Sequence, residues 1–456
     1  MPTCAILLSV PLCKGGETVP RWLKTLALGA LSGALALLSG CGVSPMSDTL
    51  YRLPKLPREY ESLEAKIDEL IAGGAEYAAP TSGSNLQSVQ MVDLDGDGSE
   101  EALAFFRRAG DERPLKIYVF RAVADSYEQY CVIEGTSNAI YSVNYVDLDG
   151  DGWREILAGI RGELDVQNLS VWSVSGSEPR RLLLTGYSRY AARDMDGDGQ
   201  QDLIVLRSDE ENYAVADSYA WNDTELALRS SLHLSSTVAE LSRLTAGTLS
   251  DGENALYVTF VTQDGAAATD ILTVEDGALR SVKSAADAGK VYHFLDLYPS
   301  DVNADGVTEV PEPAPFAQSD PKAGVYYRVF WRQYDARGKS ELVREIYQDA
   351  QSGWNLILPE HWGERVCLSR TSGADGAAAT FSRVNGAETE PFLTIYTFTG
   401  DNRAQLASRG GRILLARQPE VTYAAELHGE GMGMIEEQTL RESFGLNATE
   451  WTTGEN

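Results

Sequence analysis

The sequence predicts a mainly β protein, a β-propeller-like array of about five repeats followed by a small α+β domain. Three observations predict it. An acidic, glycine-rich nonapeptide occurs four times; a short apolar run follows each of its first three copies; and the copies begin 54, 47 and 107 residues apart, the last interval being two periods. A period near ~50 residues holding several strands marks units that cannot bury their apolar faces alone and must stack.

The nonapeptide carries the chemistry. Its copies run Asp93-Leu94-Asp95-Gly96-Asp97-Gly98-Ser99-Glu100-Glu101, then from Asp147 to Glu155, from Asp194 to Asp202 and, more loosely, from Asp301 to Glu309. Side-chain oxygens stand at positions 1, 3 and 5: Asp93, Asp95 and Asp97; Asp147, Asp149 and Asp151; Asp194, Asp196 and Asp198; Asp301, Asn303 and Asp305. Glycine follows at 6, and a carboxylate at 9 in Glu101, Glu155, Asp202 and Glu309. Ca2+ is a hard cation that takes six to eight oxygens at roughly 2.3–2.6 Å, and alternate residues of a tight loop aim theirs at one point. Glycine at 6 lets the chain turn sharply enough to bring in the carbonyl of position 7, here that of Ser99, Trp153, Gln200 or Val307.

The longer, helix-flanked calcium loop closes with Glu at position 12. Here the first three copies have Ala104, Ala158 and Val205 there, and the acid sits at 9 instead; only the last copy has a carboxylate at 12, Glu312, in a Pro-Glu-Pro run. One such stretch alone reads equally well as an acidic surface turn, because Asp and Gly favour turns on their own account. Four in register with the same ninth-position acid read as three or four structural Ca2+ sites. The copy containing Asn303 has one charge fewer and is expected to be the weakest.

Apolar runs at 102–106, 156–160 and 203–206 follow the first three loops and read as buried strands. A second strand comes after each, at 115–120 and 169–174, with later equivalents at 216–221, 269–274 and 326–331. The unit is therefore strand, calcium loop, strand, hairpin, strand. The double interval requires a degenerate copy, assigned to 247–255 with Leu256-Tyr257-Val258 as its strand; it keeps Asp251 and Gly252 but lacks ligands at positions 1, 3 and 9. That makes about five calcium-loop repeats, architectural first and metal-binding second.

The repeated D-L-D-G-D-G-x-x-E with its apolar strand resembles the FG-GAP and VCBS-type repeats of β-propellers, including integrin α-chain heads and many bacterial surface proteins. The resemblance covers residues 85–350. It implies a loop joining adjacent strands within a blade and binding Ca2+ structurally through positions 1, 3, 5, 7 and 9. The Phe-Gly/Gly-Ala-Pro half of the FG-GAP signature is not evident.

The remaining segments follow in order. Residues 1–40 place Lys14, Arg21 and Lys24 ahead of an apolar run that ends in Leu38-Ser39-Gly40-Cys41, the pattern of a secretory signal peptide. The run is shorter than the ~20 residues a spanning helix needs. Its ending resembles a bacterial lipobox, which implies lipid on Cys41 and anchoring at the extracytoplasmic face of a bacterial cell membrane. Residues 41–56 read as a tether. Residues 57–84 hold a helix, with Leu63, Ile67, Leu70 and Ile71 on one face and Gly73-Gly74 as its stop, and a lead-in. The array occupies 85–350, and 351–456 alternates strands with short helices as a small α+β domain does.

Charge bounds the partners. The chain carries −29, and removing a leader of net +2 leaves −31, a surface that repels nucleic acid and anionic lipid headgroups. The membrane is then reached through the lipid alone. Of five cysteines, Cys131 and Cys367 remain after the leader and Cys41; they either pair or stay as buried thiols.

No catalytic residue is assigned. His233, His293, His361 and His428 are scattered, and neither H-E-x-x-H, G-x-S-x-G nor a phosphate loop occurs. Trp153, Trp172, Trp221 and Trp331 either line a carbohydrate-binding face or fill the space between repeats. The expected function is a surface-anchored lipoprotein whose calcium-stabilised array is a binding or scaffold module for a protein or carbohydrate ligand. The alternatives are an extracellular polysaccharide-active hydrolase working through paired carboxylates, and an accessory or sensor subunit of a membrane complex.

Overall fold

The computed structural model of the protein describes residues 58–447, apart from 138, 162–166, 223–224, 263–264, 266, 284–296, 318–323, 387 and 430–433. The leader at 1–40, Cys41, the tether at 41–56 and His293 lie outside the described residues.

The chain is mainly β. It opens with helix α1 (Arg58–Ala72), in which Leu63 and Ile67, one turn apart, are buried. The helix stops at Gly73 and Gly74 as expected, with Gly74 at φ 90° and the Ala75 amide returning to the Leu70 carbonyl at 3.1 Å.

Six antiparallel sheets follow among the described residues. The first contains β1 (Glu76–Tyr77), β2 (Val89–Val92), β3 (Glu101–Arg107), β4 (Leu115–Val123) and β5 (Ser126–Gly135). The second is the meander β6 (Ala139–Val146), β7 (Glu155–Arg161), β8 (Gln167–Ser173) and β9 (Arg180–Gly186). The third repeats it as β10 (Arg189–Arg193), β11 (Asp202–Ser208), β12 (Tyr213–Trp221) and β13 (Leu226–Thr237). The fourth does so again as β14 (Leu241–Thr248), β15 (Asn254–Val261), β16 (Ala267–Glu275) and β17 (Ala278–Lys283). The fifth starts with β18 (Val310–Pro315), β19 (Tyr327–Tyr334), β20 (Ser340–Asp349) and β21 (Trp354–Ile357). The Pro-Glu-Pro run is thus strand, its prolines confined to the sheet's first strand, where a missing N–H is tolerated.

The sixth sheet is built from β22 (Val366–Gly373), β23 (Gly376–Asn385), β24 (Glu388–Phe398), β25 (Ile413–Arg417) and β26 (Thr422–Leu427). Helix α2 (Arg403–Ala407) lies between β24 and β25, and α3 (Glu437–Ser443) precedes a last strand, β27 (Phe444–Leu446). That strand pairs with β21, Trp354 opposite Leu446, so the end of the described chain completes the fifth sheet.

The burial pattern explains why the second strand of each meander reads as an unbroken apolar run. β3, β7, β11 and β15 are buried along nearly their whole length, and alternate side chains enter different cores. Leu103 and Phe105 join Ile140 and Ile156 of the second sheet, whereas Ala102, Ala104 and Phe106 face Leu63 and Ile67 of α1. Leu157 meets Leu203 and Val205 of the third sheet, and Ile204 meets Leu256 and Phe260 of the fourth. Tyr257 packs with Val310 and Tyr334 of the fifth, and Trp354 with Phe381 and Ile395 of the sixth. Each sheet therefore shares a core with the next one in sequence.

Cys131 and Cys367 are both free and buried. Burial pushes the Cys131 thiol up to about 12, which makes it an inert packing group.

Candidate metal centres

The first three acidic nonapeptides join β2 to β3, β6 to β7 and β10 to β11, the fourth leads into β18 and is closed at its base by a bridge between Ser300 and Glu309, and one hydrogen-bond pattern shapes all four. The position 1 carboxylate accepts from the amide of position 6: Asp93 from Gly98 at 3.2 Å, Asp147 from Gly152 at 3.2 Å, Asp194 from Gly199 at 3.0 Å and Asp301 from Gly306 at 2.9 Å. Position 5 accepts from the amide of position 7, at 2.7 Å in Asp97–Ser99, 2.8 Å in Asp151–Trp153, 2.7 Å in Asp198–Gln200 and 2.8 Å in Asp305–Val307. Position 9 reaches back to position 2, with Glu101, Glu155, Asp202 and Glu309 accepting from Leu94, Leu148, Met195 and Val302 at 2.9, 2.9, 3.1 and 2.8 Å. These bonds use one lone pair of each carboxylate and leave the others to converge.

The backbone takes left-handed turns at two places, not one. Position 6 is left-handed in every loop, with φ between 88° and 91°, as the glycine there predicts. Position 4 is left-handed as well, occupied by Gly96, Gly150 and Gly197 but by Ala304 at φ 62° in the fourth loop. A Cβ in that conformation costs about 1–2 kcal/mol, a second reason, beside Asn303, for the fourth loop to be the weakest.

The turns gather carboxylates. Asp93, Asp95 and Glu101 bring ligand atoms within 4.8 Å of one another, and so do Asp147, Asp149 and Glu155; Asp194, Asp196 and Asp198; and Asp301, Asp305 and Glu309. Asp97, Asp151 and Asp202 lie outside these tightest groups and serve in the loop bonds given above, while Asn303 donates to Asp305 at 2.8 Å. Such clusters can hold metal ions, and their oxygen-only donor sets suit a hard divalent cation.

Electrostatics sharpen the case. Glu155 is fully buried and Glu101 is 1% exposed, yet the Oε1 atom of each has no hydrogen-bond partner, and neither has Asp93 Oδ1. A buried, unpaired carboxylate oxygen is strongly unfavourable unless a cation or proton meets it. Burial, reinforced by Asp149, Asp151 and Asp147 against the Leu148 bond, pushes Glu155 up to about 7. Burial likewise raises Asp202 to about 6 and shifts Glu101, Glu309 and Asp149 upward. The side chains are placed as if a positive charge belonged among them.

The degenerate unit is read differently from its structure. Thr248 pairs with Asn254, so five residues, 249–253, join β14 to β15, where eight, 93–100, join β2 to β3. The missing residues remove the ligand-bearing arc. Asp251 is thus no fifth-position remnant; its carboxylate accepts the Ala336 amide of the fifth sheet at 2.9 Å. Beside this hairpin and the third loop opens a polar cavity of about 790 Å3, lined by Asp196, Asp251, Glu253, Glu275, Asp335 and Arg280 among others.

Three histidines are in place and dispersed. His233 faces Asp209 at 3.3 Å, His361 meets the Met434 carbonyl at 2.8 Å, and His428 meets the Thr394 hydroxyl at 2.8 Å. Trp331 is buried, while Trp153, Trp172 and Trp221 are half-buried beneath the guanidinium groups of Arg121, Arg181 and Arg180. No protein-family model matches the chain, and a comparison with curated proteins found no significant match.

Proposed function

We propose that the protein is a calcium-stabilised, β-propeller-like binding or scaffold module of the FG-GAP/VCBS type, carried by lipid on Cys41 at the extracytoplasmic face of a bacterial membrane. The observation that carries the calcium reading is Glu155, fully buried, bonded to Leu148 through one oxygen and unpartnered at the other. Asp147, Asp149, Asp151 and the Trp153 carbonyl would complete the oxygen set of that loop, with equivalent sets in the other three. Bound Ca2+ would neutralise the carboxylates and pin the strand-to-strand turn, linking folding free energy to the ion.

The propeller-like arrangement is supported by the order in which sheets share cores, each with its sequence neighbour, and by the first three acidic loops joining the corresponding strand pairs β2–β3, β6–β7 and β10–β11, with the fourth leading into β18. A binding role is supported by the acidic cavity between the third, fourth and fifth sheets. A polyanionic chain has no use for nucleic acid there, so the ligand class is a protein surface or a carbohydrate.

The deciding experiment is calorimetric titration of Ca2+ into the chelator-stripped protein, paired with melting curves with and without the ion. Three or four sites with a large upward shift in melting are expected. No binding and no shift would reduce the loops to acidic turns. Replacing Cys41 by Ala, with the protein followed between membrane and soluble fractions, tests the anchor separately.

A further inference from the structure

One register position separates the four loops. The residue after each ninth-position acid pairs across the sheet with Phe120, Trp172, Tyr219 or Arg332. The residue next along that partner strand, Arg121, Ser173, Ala220 or Gln333, therefore stands beside the acid. In the second and third loops it is small and leaves the cluster open. In the fourth, the Gln333 amide donates to Asp305 Oδ2 at 2.7 Å and Glu309 Oε1 at 2.8 Å. That amide is uncharged, and turning it over presents an oxygen instead of a nitrogen.

The first loop is different in kind. The Arg121 guanidinium bonds Asp95 Oδ2, and its Nε lies 3.8 Å from the otherwise unpartnered Glu101 Oε1. It is also held from outside. Its carbon lies 5.6 Å from the Tyr130 ring centre and 5.3 Å from that of Trp153, and the two rings stack at 6.0 Å with 23° between their planes. Guanidinium stays charged at any accessible pH and favours both planar carboxylate pairing and aromatic faces. A dication entering this loop would have to break the Asp95 pair, leave the aromatic contacts and overcome charge repulsion.

We propose that Arg121 closes the first loop to calcium, serving there as the chain's own permanent cation, so that this sheet is held without the metal on which the second and third depend. The proposal rests on the calcium reading of the second and third loops. Trp153 then has two jobs: its carbonyl would complete the oxygen set of the second loop, and its ring helps to keep Arg121 over the first.

Ion counting by native mass spectrometry of the stripped protein returned to calcium tests it. Arg121→Ser, which gives the first loop the residue of the second, should bind one more ion than the parent. An unchanged count overturns the proposal. A second variant guards against misfolding of the first: Asp95→Asn, nearly isosteric, should leave the parent count unaltered, whereas Asp149→Asn should lower it by one. Loss of an ion from Asp95→Asn would mean that calcium displaces Arg121 and fills the loop. If neither the parent nor Arg121→Ser binds any ion, the calcium reading itself fails, an outcome distinct from the other two.

Discussion

Glu155 and Leu148 close the second acidic loop on itself: the carboxylate accepts the Leu148 amide at 2.9 Å, and the leucine side chain is fully buried beneath it. One side-chain oxygen thus belongs to the fold and the other to whatever positive charge the loop collects. The same closure recurs in the other three loops, so loss of charge in any of them is felt in the core between sheets.

Replacing Asp149 by Ala removes a carboxylate from the open second cluster while leaving the Glu155 closure intact. Melting temperature should fall mainly when calcium is present, because a site filled at 100 times its Kd contributes about 2.7 kcal/mol. Melting curves of parent and variant, each with calcium and with chelator, give the comparison. An equal loss under both conditions would assign Asp149 to the turn alone and not to a metal.

The repeat and the acids were legible in the sequence because both are local. Spacing along the chain places each of the first three loops before a buried strand, and the ligand-bearing positions lie within nine residues of one another. Arg121 and Gln333 were not legible. They reach the loops only through cross-strand register, which depends on where β4 and β19 begin and on hairpins of unequal length. Asp251 misled for the same reason: its Asp-Gly pair resembles the motif, but the turn around it is three residues too short. Pairing of β27 with the distant β21 carries no sequence signal at all, since a three-residue strand has no measurable period.

Acidity should act on the stripped protein in the direction opposite to the common one. Glu155 sits near 7 in the folded chain against an ordinary 4.5, so folding favours its protonated form. This contribution is present in full below about pH 4.5 and is lost as pH rises through 7, on the order of 3 kcal/mol. Asp147, Asp149 and Asp151 face the group and add to the effect. Glu155→Gln, which stays neutral, should therefore gain stability relative to the parent between pH 5 and pH 7.5 in chelator. Urea unfolding at the two values measures that difference, and a constant gap would contradict it. With calcium the sign reverses, because the ion requires the carboxylate and its binding releases protons.

Asp251→Ala should leave the ion count unaltered and lower stability by about 1 kcal/mol, the usual worth of the lost bond to the Ala336 amide. The loss should be the same with and without calcium. Loss of a whole ion would show the short hairpin to be a metal loop after all.

Gly159→Ala tests the packing of the second sheet on the third without reference to metal. Gly159 lies in β7, opposite Leu169, and a methyl group there would stand 2.6 Å from Ser142 Oγ and closer still to Tyr187 Oη. In an open strand the exchange would help, since glycine weakens strands. Here the added carbon must push Tyr187 out of the core it shares with Leu157 and Leu203. Overpacking of this kind costs about 1–3 kcal/mol, and it should be partly relieved by Tyr187→Phe in the same chain, which removes the nearest atom. Urea midpoints of the single and double variants decide the matter. A neutral or stabilising Gly159→Ala would mean that the two sheets do not approach this closely, and the sharing of cores between successive sheets would have to be given up at this interface.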